Sequence, residues 1–258
     1  MNYFYGIIFI FIVYFLGFIA PLYNLNITFE EPNDIVFSVD NMPYNHTFAY
    51  WVDKWFDWFL TLPNIPGNTN LASPRDNYSP EKCSWNQNRT SPVWMLADGA
   101  DQNDLSITQV RDCKVPSGKA LLVQIVVSNC SLNEGYKTDQ ELLNCANWIL
   151  NKAQFSASID VKEVMNTNKD SSDRKKFFVE PFVTNITYGK NNYYDDPPGT
   201  VRGMEAGYFL FVKPLTVDKH IIKYQESVIN TLDSSGNDKR ISNVQYNILV
   251  EGNSTKRG

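Results

Sequence analysis

The sequence predicts a mainly β protein: a β-sandwich of jelly-roll type with two helical insertions, preceded by an N-terminal transmembrane or signal helix. Three observations carry this. About nine short segments alternate apolar and polar residues and are separated by turn residues, as in "FSASIDV" and "NVQYNILVE". Only two segments carry the wide apolar stripe of an amphipathic helix, too few for the alternating helices of a parallel α/β sheet. The first residues, from Tyr3 to Tyr23, are continuously apolar.

That first run has no charged side chain before Glu30 and no Lys or Arg before Lys54. At ~1.5 Å per residue it is long enough to span a bilayer core of ~30 Å. A cleaved signal peptide wants a basic start and small residues at the cleavage site, and Phe18 and Pro21 flank Ala20 instead. The expectation is an uncleaved anchor at residues 1–23, a linker and first strand at 24–46, and an extracellular domain at 47–258. This makes a single-pass protein of the cell membrane; secretion after signal cleavage is the alternative. Asn-x-Ser/Thr triplets at Asn26, Asn45, Asn88, Asn129, Asn185 and Asn253 are candidate glycosylation sites on an exterior domain. A further triplet, at Asn77, is weakened by Pro80.

The four cysteines, Cys83, Cys113, Cys130 and Cys145, fit two disulfides in an oxidising compartment. They contain no C-x-x-C and have no neighbouring histidine, which argues against zinc. Of three connectivities, the preferred one pairs Cys83 with Cys113 and Cys130 with Cys145. With a net charge of −5 and no long basic run, nucleic acid is not an expected partner.

In chain order, "DIVFSVD" alternates Ile35, Phe37 and Val39, a short strand. "YWVDKWFDWFLTLP" then places Trp51, Trp55, Trp58 and Leu62 on one helical stripe. Thr47 is a candidate N-cap, and Pro63 ends the helix. The polar side, Asp53, Lys54 and Asp57, is too acidic for an interfacial membrane helix, so this stripe is expected in the core. A long polar connection from Asn64 to Pro92 follows, then the strand "PVWMLA" and an acidic loop. "VRDCKVPSGKALLVQIVV" reads as strand, turn and buried strand. Thr138 and Glu141 form a capping-box pattern before a second helix carrying Leu142, Ala146, Ile149 and Leu150. After "FSASIDV" comes a polar loop from Asn166 to Lys176, then "FFVEPFVTNITY", where Pro181 marks an edge strand or bulge. "GYFLFVKPLTVDKHIIKY" is expected to form a hairpin from Tyr208 to Tyr224, and "NVQYNILVE" is the last strand.

Several stretches occur together: "WFDWFLTLP", Cys83 and Gln87 before "SPVWMLA", "VRDCKVPSGKALLVQIV", "ELLNCA" and "GYFLFVKPLTVDKHIIKY". Their order resembles a family of uncharacterised secreted or cell-surface proteins of bacteria and ammonia-oxidising-type archaea. The resemblance covers roughly residues 48 to 250 and implies a body plan without an assigned activity. It departs at Asp218, where that family's hairpin usually has glycine.

Candidate sites are sparse. Asp98, Asp101, Asn103 and Asp104 offer oxygen ligands within seven residues, a calcium candidate without the EF-hand pattern; a solvated acidic loop is the plainer reading. Calcium is the one candidate cofactor. His220, and Glu205 with Arg202 nearby, are weak catalytic candidates. A carboxylate pair drawn from Glu134, Glu141, Glu180 and Glu205 would suit glycoside cleavage, but each has the plainer reading of a solvated or capping carboxylate. Trp85, Tyr193 and Tyr194 fall in loops, where aromatic rings bind sugars or partners. The expected role is a non-enzymatic cell-envelope binding or structural module meeting a protein or glycan. A carbohydrate-active enzyme and an accessory subunit of a membrane complex are the alternatives.

Overall fold

A computed structural model describes residues 35–62, 82–97, 108–190, 192, 196–229 and 239–252. The compact body runs from Ile35 to Gly258. The N-terminal apolar run lies outside the described residues. Among those described, no helix is long and apolar enough to cross a membrane.

Two five-stranded sheets face each other. In the first, β8 (Gly199–Val212) lies between β4 (Ala120–Ser131) and two shorter partners, β7 (Phe178–Tyr188) and β1 (Val36–Phe37). β2 (Val93–Leu96) flanks β4. The second sheet runs β3 (Gln109–Pro116), β10 (Lys239–Glu251), β9 (Lys219–Ile229), β5 (Ala153–Ile159), β6 (Lys162–Asn166). The β-sandwich and its two disulfides are as the sequence indicates: Cys83 bonds Cys113, and Cys130 bonds Cys145. Two pairings are parallel, β2 with β4 and β3 with β10. A jelly roll is antiparallel, so these pairings depart from it.

The core has two layers. Between the sheets pack Leu121, Val123, Leu210, Val212, Tyr224, Val244 and Tyr246. On the outer face of the first sheet lies helix α1 (Phe48–Leu60), whose Trp51, Trp55, Phe56 and Phe59 cover Leu122, Phe209 and Phe211. The tryptophan stripe is therefore core, as its breadth predicts. Thr47 Oγ1 accepts the amide of Tyr50 at 3.2 Å, the cap expected from sequence. The indoles are anchored too: Trp55 Nε1 donates to the carbonyl of Leu96 at 2.9 Å, and Trp51 Nε1 to that of Pro43 at 2.8 Å.

Helix α2 (Asp139–Leu150) begins with the predicted capping box and buries Leu142, Ala146 and Leu150 in the inter-sheet core. A third helix, α3 (Ser172–Phe177), occupies the segment expected as a polar loop, because Phe177 is fully buried and pins it. β7 is bulged between Val179 and Phe182, where Pro181 cannot donate to the ladder.

The expected hairpin from Tyr208 to Tyr224 does not form. Tyr208–Val212 belongs to the first sheet, while His220–Tyr224 pairs with β10 and β5 in the second. β4 on one side, and β7 and β1 on the other, already occupy both edges of β8. The segment around Pro214 therefore carries the chain across to the other sheet.

Candidate functional site

A groove of about 730 Å³ lies beside α2. Its floor is the end of β4, from Val127 to Cys130. One wall is α2, with Glu141, Asn144, Trp148 and Ile149, and the other is the turn carrying Glu134, Gly135 and Tyr136. The Cys130–Cys145 disulfide crosses it and fixes helix to strand. The turn is short because the amide of Ser131 donates to Glu134 Oε1 at 2.7 Å and Gly135 takes φ 95°, a left-handed conformation that suits glycine.

Polar and aromatic groups converge here. Tyr136 and Trp148 are half-buried rings. Lys152 Nζ stands 4.5 Å from the Trp148 ring centre and holds that ring in place. Burial raises the Glu134 carboxyl above its ordinary range, the charge of Asp196 adds to this, and hydrogen bonds from Ser131 oppose it. Glu141 is held low, first by the backbone amide of Lys137 and also by that of Thr138.

Glu205 lies on β8, opposite Asn129 of β4. It is not a surface carboxylate: it is 2% exposed and faces α1. Asn129, its partner across the β4–β8 ladder, donates Nδ2 to Glu205 Oε1 at 3.4 Å and accepts the Tyr188 hydroxyl at 3.2 Å. Glu205 Oε2 is buried without a hydrogen-bond partner. Burial pushes its carboxyl well above the usual range; the charges of Asp53 and Asp57 push the same way, and Lys54 opposes them. Lys54 bridges Asp53 and Asp57 at 3.1 and 2.6 Å, and Asp53 also accepts the Thr184 hydroxyl at 2.8 Å. Arg202, the neighbour suggested by sequence, points elsewhere and forms a two-point pair with Asp139 of α2.

The other sequence candidates are dispersed. His220 is tied down: Nδ1 lies 3.1 Å from Asp160 Oδ2, and Nε2 lies 3.0 Å from the carbonyl of Thr216. Trp85 is half-buried against the α1 layer, and its carbonyl accepts Trp58 Nε1 at 2.9 Å. Tyr193, Tyr194, Asp98, Asp101, Asn103 and Asp104 lie outside the described residues, as do Asn26 and Asn253. Asn45, Asn88 and Asn185 are exposed. Asn129 is half-buried, and the amide nitrogen a glycan would need is the one given to Glu205. Among the described residues, no three His, Cys, Asp or Glu are placed to share a metal.

No protein-family model matches the chain, and no curated protein matches it. The groove must therefore be read from its own chemistry. Sequence reading missed it because its parts are far apart: a turn, a helix and a strand end meet through one disulfide. The capping box and Cys145 were the visible traces, since they fix which way α2 faces.

Proposed function

We propose that the protein is a non-enzymatic binding module of the cell envelope and that the α2 groove receives a glycan. The observation that carries this is the convergence of Trp148 and Tyr136 with Glu134, Glu141, Asn129 and Asn144 around one groove of about 730 Å³, within the size range of small-ligand sites. Sugar rings offer apolar C–H faces that lie against aromatic rings and hydroxyls that bond to amides and carboxylates.

The uncharged N-terminal run and the exterior sequence signals support a domain held outside the cell by an N-terminal anchor. The two disulfides fit the same compartment. A carbohydrate-active enzyme remains the second reading, because Glu134 and Glu141 both line the groove. Both carboxylates are already engaged by backbone amides, which favours binding over catalysis.

The test is a screen of the full-length protein against neutral and acidic oligosaccharides, followed by calorimetric titration of the best binder. The expected result is saturable binding that weakens about tenfold or more in Trp148→Ala, with the oligosaccharide recovered uncleaved. Binding unchanged in Trp148→Ala would remove the groove from the reading. Shortened oligosaccharide would establish the enzyme.

A further inference from the structure

Four Asn-x-Ser/Thr triplets fall among the described residues, and the fold treats them differently. Asn129 of β4 gives its amide nitrogen to Glu205, and Ser131 of its triplet is fully buried. Asn185 lies within β7, opposite Arg202 of β8; Ile186 beside it is buried, and the Thr187 hydroxyl is 3.1 Å from that of Thr200. Asn45 lies in a turn, but the hydroxyl of its triplet, on Thr47, accepts the amide of Tyr50 as the cap of α1. Between them the His46 ring is stacked on Tyr50, with ring centres 4.0 Å apart. To reach an enzyme's cleft, each of these three triplets must give up a ladder, a buried residue or a helix cap.

The fourth triplet, Asn88-Arg89-Thr90, gives up none of these. We propose that Asn88 is the N-glycosylation site of the folded domain, selected from the four by the fold. The triplet lies in the connection between Cys83 and β2, and all three of its residues are exposed. It forms a closed turn: the amide of Ser91 donates to the Asn88 carbonyl at 3.1 Å. Asn88 Oδ1 accepts both the Thr90 amide, at 3.0 Å, and the Thr90 hydroxyl, at 2.8 Å, the local bonding by which asparagine favours turns. The acceptor amide and the hydroxyl of the triplet are thereby held together on one exposed turn. Among the described residues, Asn88 Nδ2 has no hydrogen-bond partner. The turn is braced from outside the triplet. Lys119 Nζ donates to the carbonyls of Arg89 and Ser91, and Gln87 bonds both the amide and the carbonyl of Met95, at 3.0 and 2.7 Å.

The co-reactant is a sugar carried on a lipid phosphate, with a membrane transferase to hold it. Asn88 Nδ2 bonds to the anomeric carbon of that sugar, and the bond from this carbon to the phosphate oxygen breaks. The lipid phosphate leaves with the electron pair, and the nitrogen gives up one proton. The product is a bulky, solubilising chain on a surface loop, added without the loss of a buried contact. The transfer takes place outside the cell membrane, so the proposal rests on the exterior location proposed above.

The experiment is mass spectrometry of proteolytic peptides from the full-length protein, purified from the cells that make it. The expected result is a sugar mass on Asn88, with Asn45, Asn129 and Asn185 bare. Thr90→Ser keeps the modification and Thr90→Val loses it; position 90 is exposed, so both variants fold. A bare Asn88, a sugar on any of the other three, or a sugar retained in Thr90→Val overturns the proposal. Protease treatment of intact cells reads the location separately. A domain shaved from intact cells with Asn88 bare overturns the glycosylation alone. A domain protected in intact cells with Asn88 bare overturns the exterior reading as well.

Discussion

Trp55 shows how much one side chain carries here. It is fully buried, stacks on Phe59 with ring centres 4.9 Å apart, and ties α1 to β2 through its indole nitrogen. Replacing it with alanine removes a large apolar volume and leaves the Leu96 carbonyl unsatisfied. Chemical denaturation of Trp55→Ala is expected to show a loss of about 3–5 kcal/mol. A loss under ~0.5 kcal/mol would place the residue at the surface. The α2 cap is a smaller effect: Thr138→Ala should cost about 1 kcal/mol, because the amide of Glu141 loses its acceptor. At this scale the sequence was readable where a rule is local. The caps and the buried stripe follow from spacing along one helix. Glu205 was not readable as buried, because its cover comes from α1, some 150 residues earlier in the chain.

The elements are held by different means. α1 is held by ring packing, whereas α2 is held by a modest apolar stripe together with the Cys130–Cys145 bond. That bond closes a loop of 15 residues, for which chain-entropy arguments give about 3 kcal/mol. Paired replacement of both cysteines by alanine is expected to lower the melting temperature and to raise hydrogen exchange in α2 before β8. Uniform exchange through both elements would mean the bond does not hold α2 locally. On β8, a Cβ at Gly207 would meet the Val126 carbonyl at 2.7 Å and Val127 Cγ1 at 2.9 Å, beside the β4 bulge. Gly207→Ala should therefore destabilise the protein by separating β4 from β8, measured as a lower denaturant midpoint. Strand existence was legible from alternation, and Pro181 announced its bulge. Strand partners were not, as the segment from Tyr208 to Tyr224 demonstrates. Alternation fixes which face of a strand is apolar, and two consecutive strands with matched faces read alike whether they pair or face each other across the core.

For the whole molecule, Glu205 makes stability depend on pH. Its folded-state carboxyl binds a proton more tightly than the unfolded one, whose ordinary value is 4.5. Above that value the unfolded chain has released its proton while the folded chain retains it, so the unfolded state binds fewer protons and stability falls as pH rises. The contribution is fully present below pH 4.5 and is lost progressively up to the folded-state value, with a limiting slope of about 1.4 kcal/mol per pH unit. Thermal melts of Glu205→Gln against wild type, from pH 4.5 to 8, should show a wild-type curve that falls relative to the variant. Parallel curves would mean Glu205 ionises as an ordinary carboxylate.

By itself the sequence determined the mainly β class, both amphipathic helices with their caps and the burial of the tryptophan stripe; it favoured one cysteine pairing of three, which the structure decided. These depend on periodicity, on capping chemistry and on short separations along the chain. The tertiary structure alone decided which strands pair, that the segment around Pro214 crosses between sheets, and that α1 covers the outer face of the first sheet. It alone placed Glu205 beneath α1. Each of those depends on contacts between residues far apart in the chain, where burial and charge are set by what folds over a residue and not by its sequence neighbours.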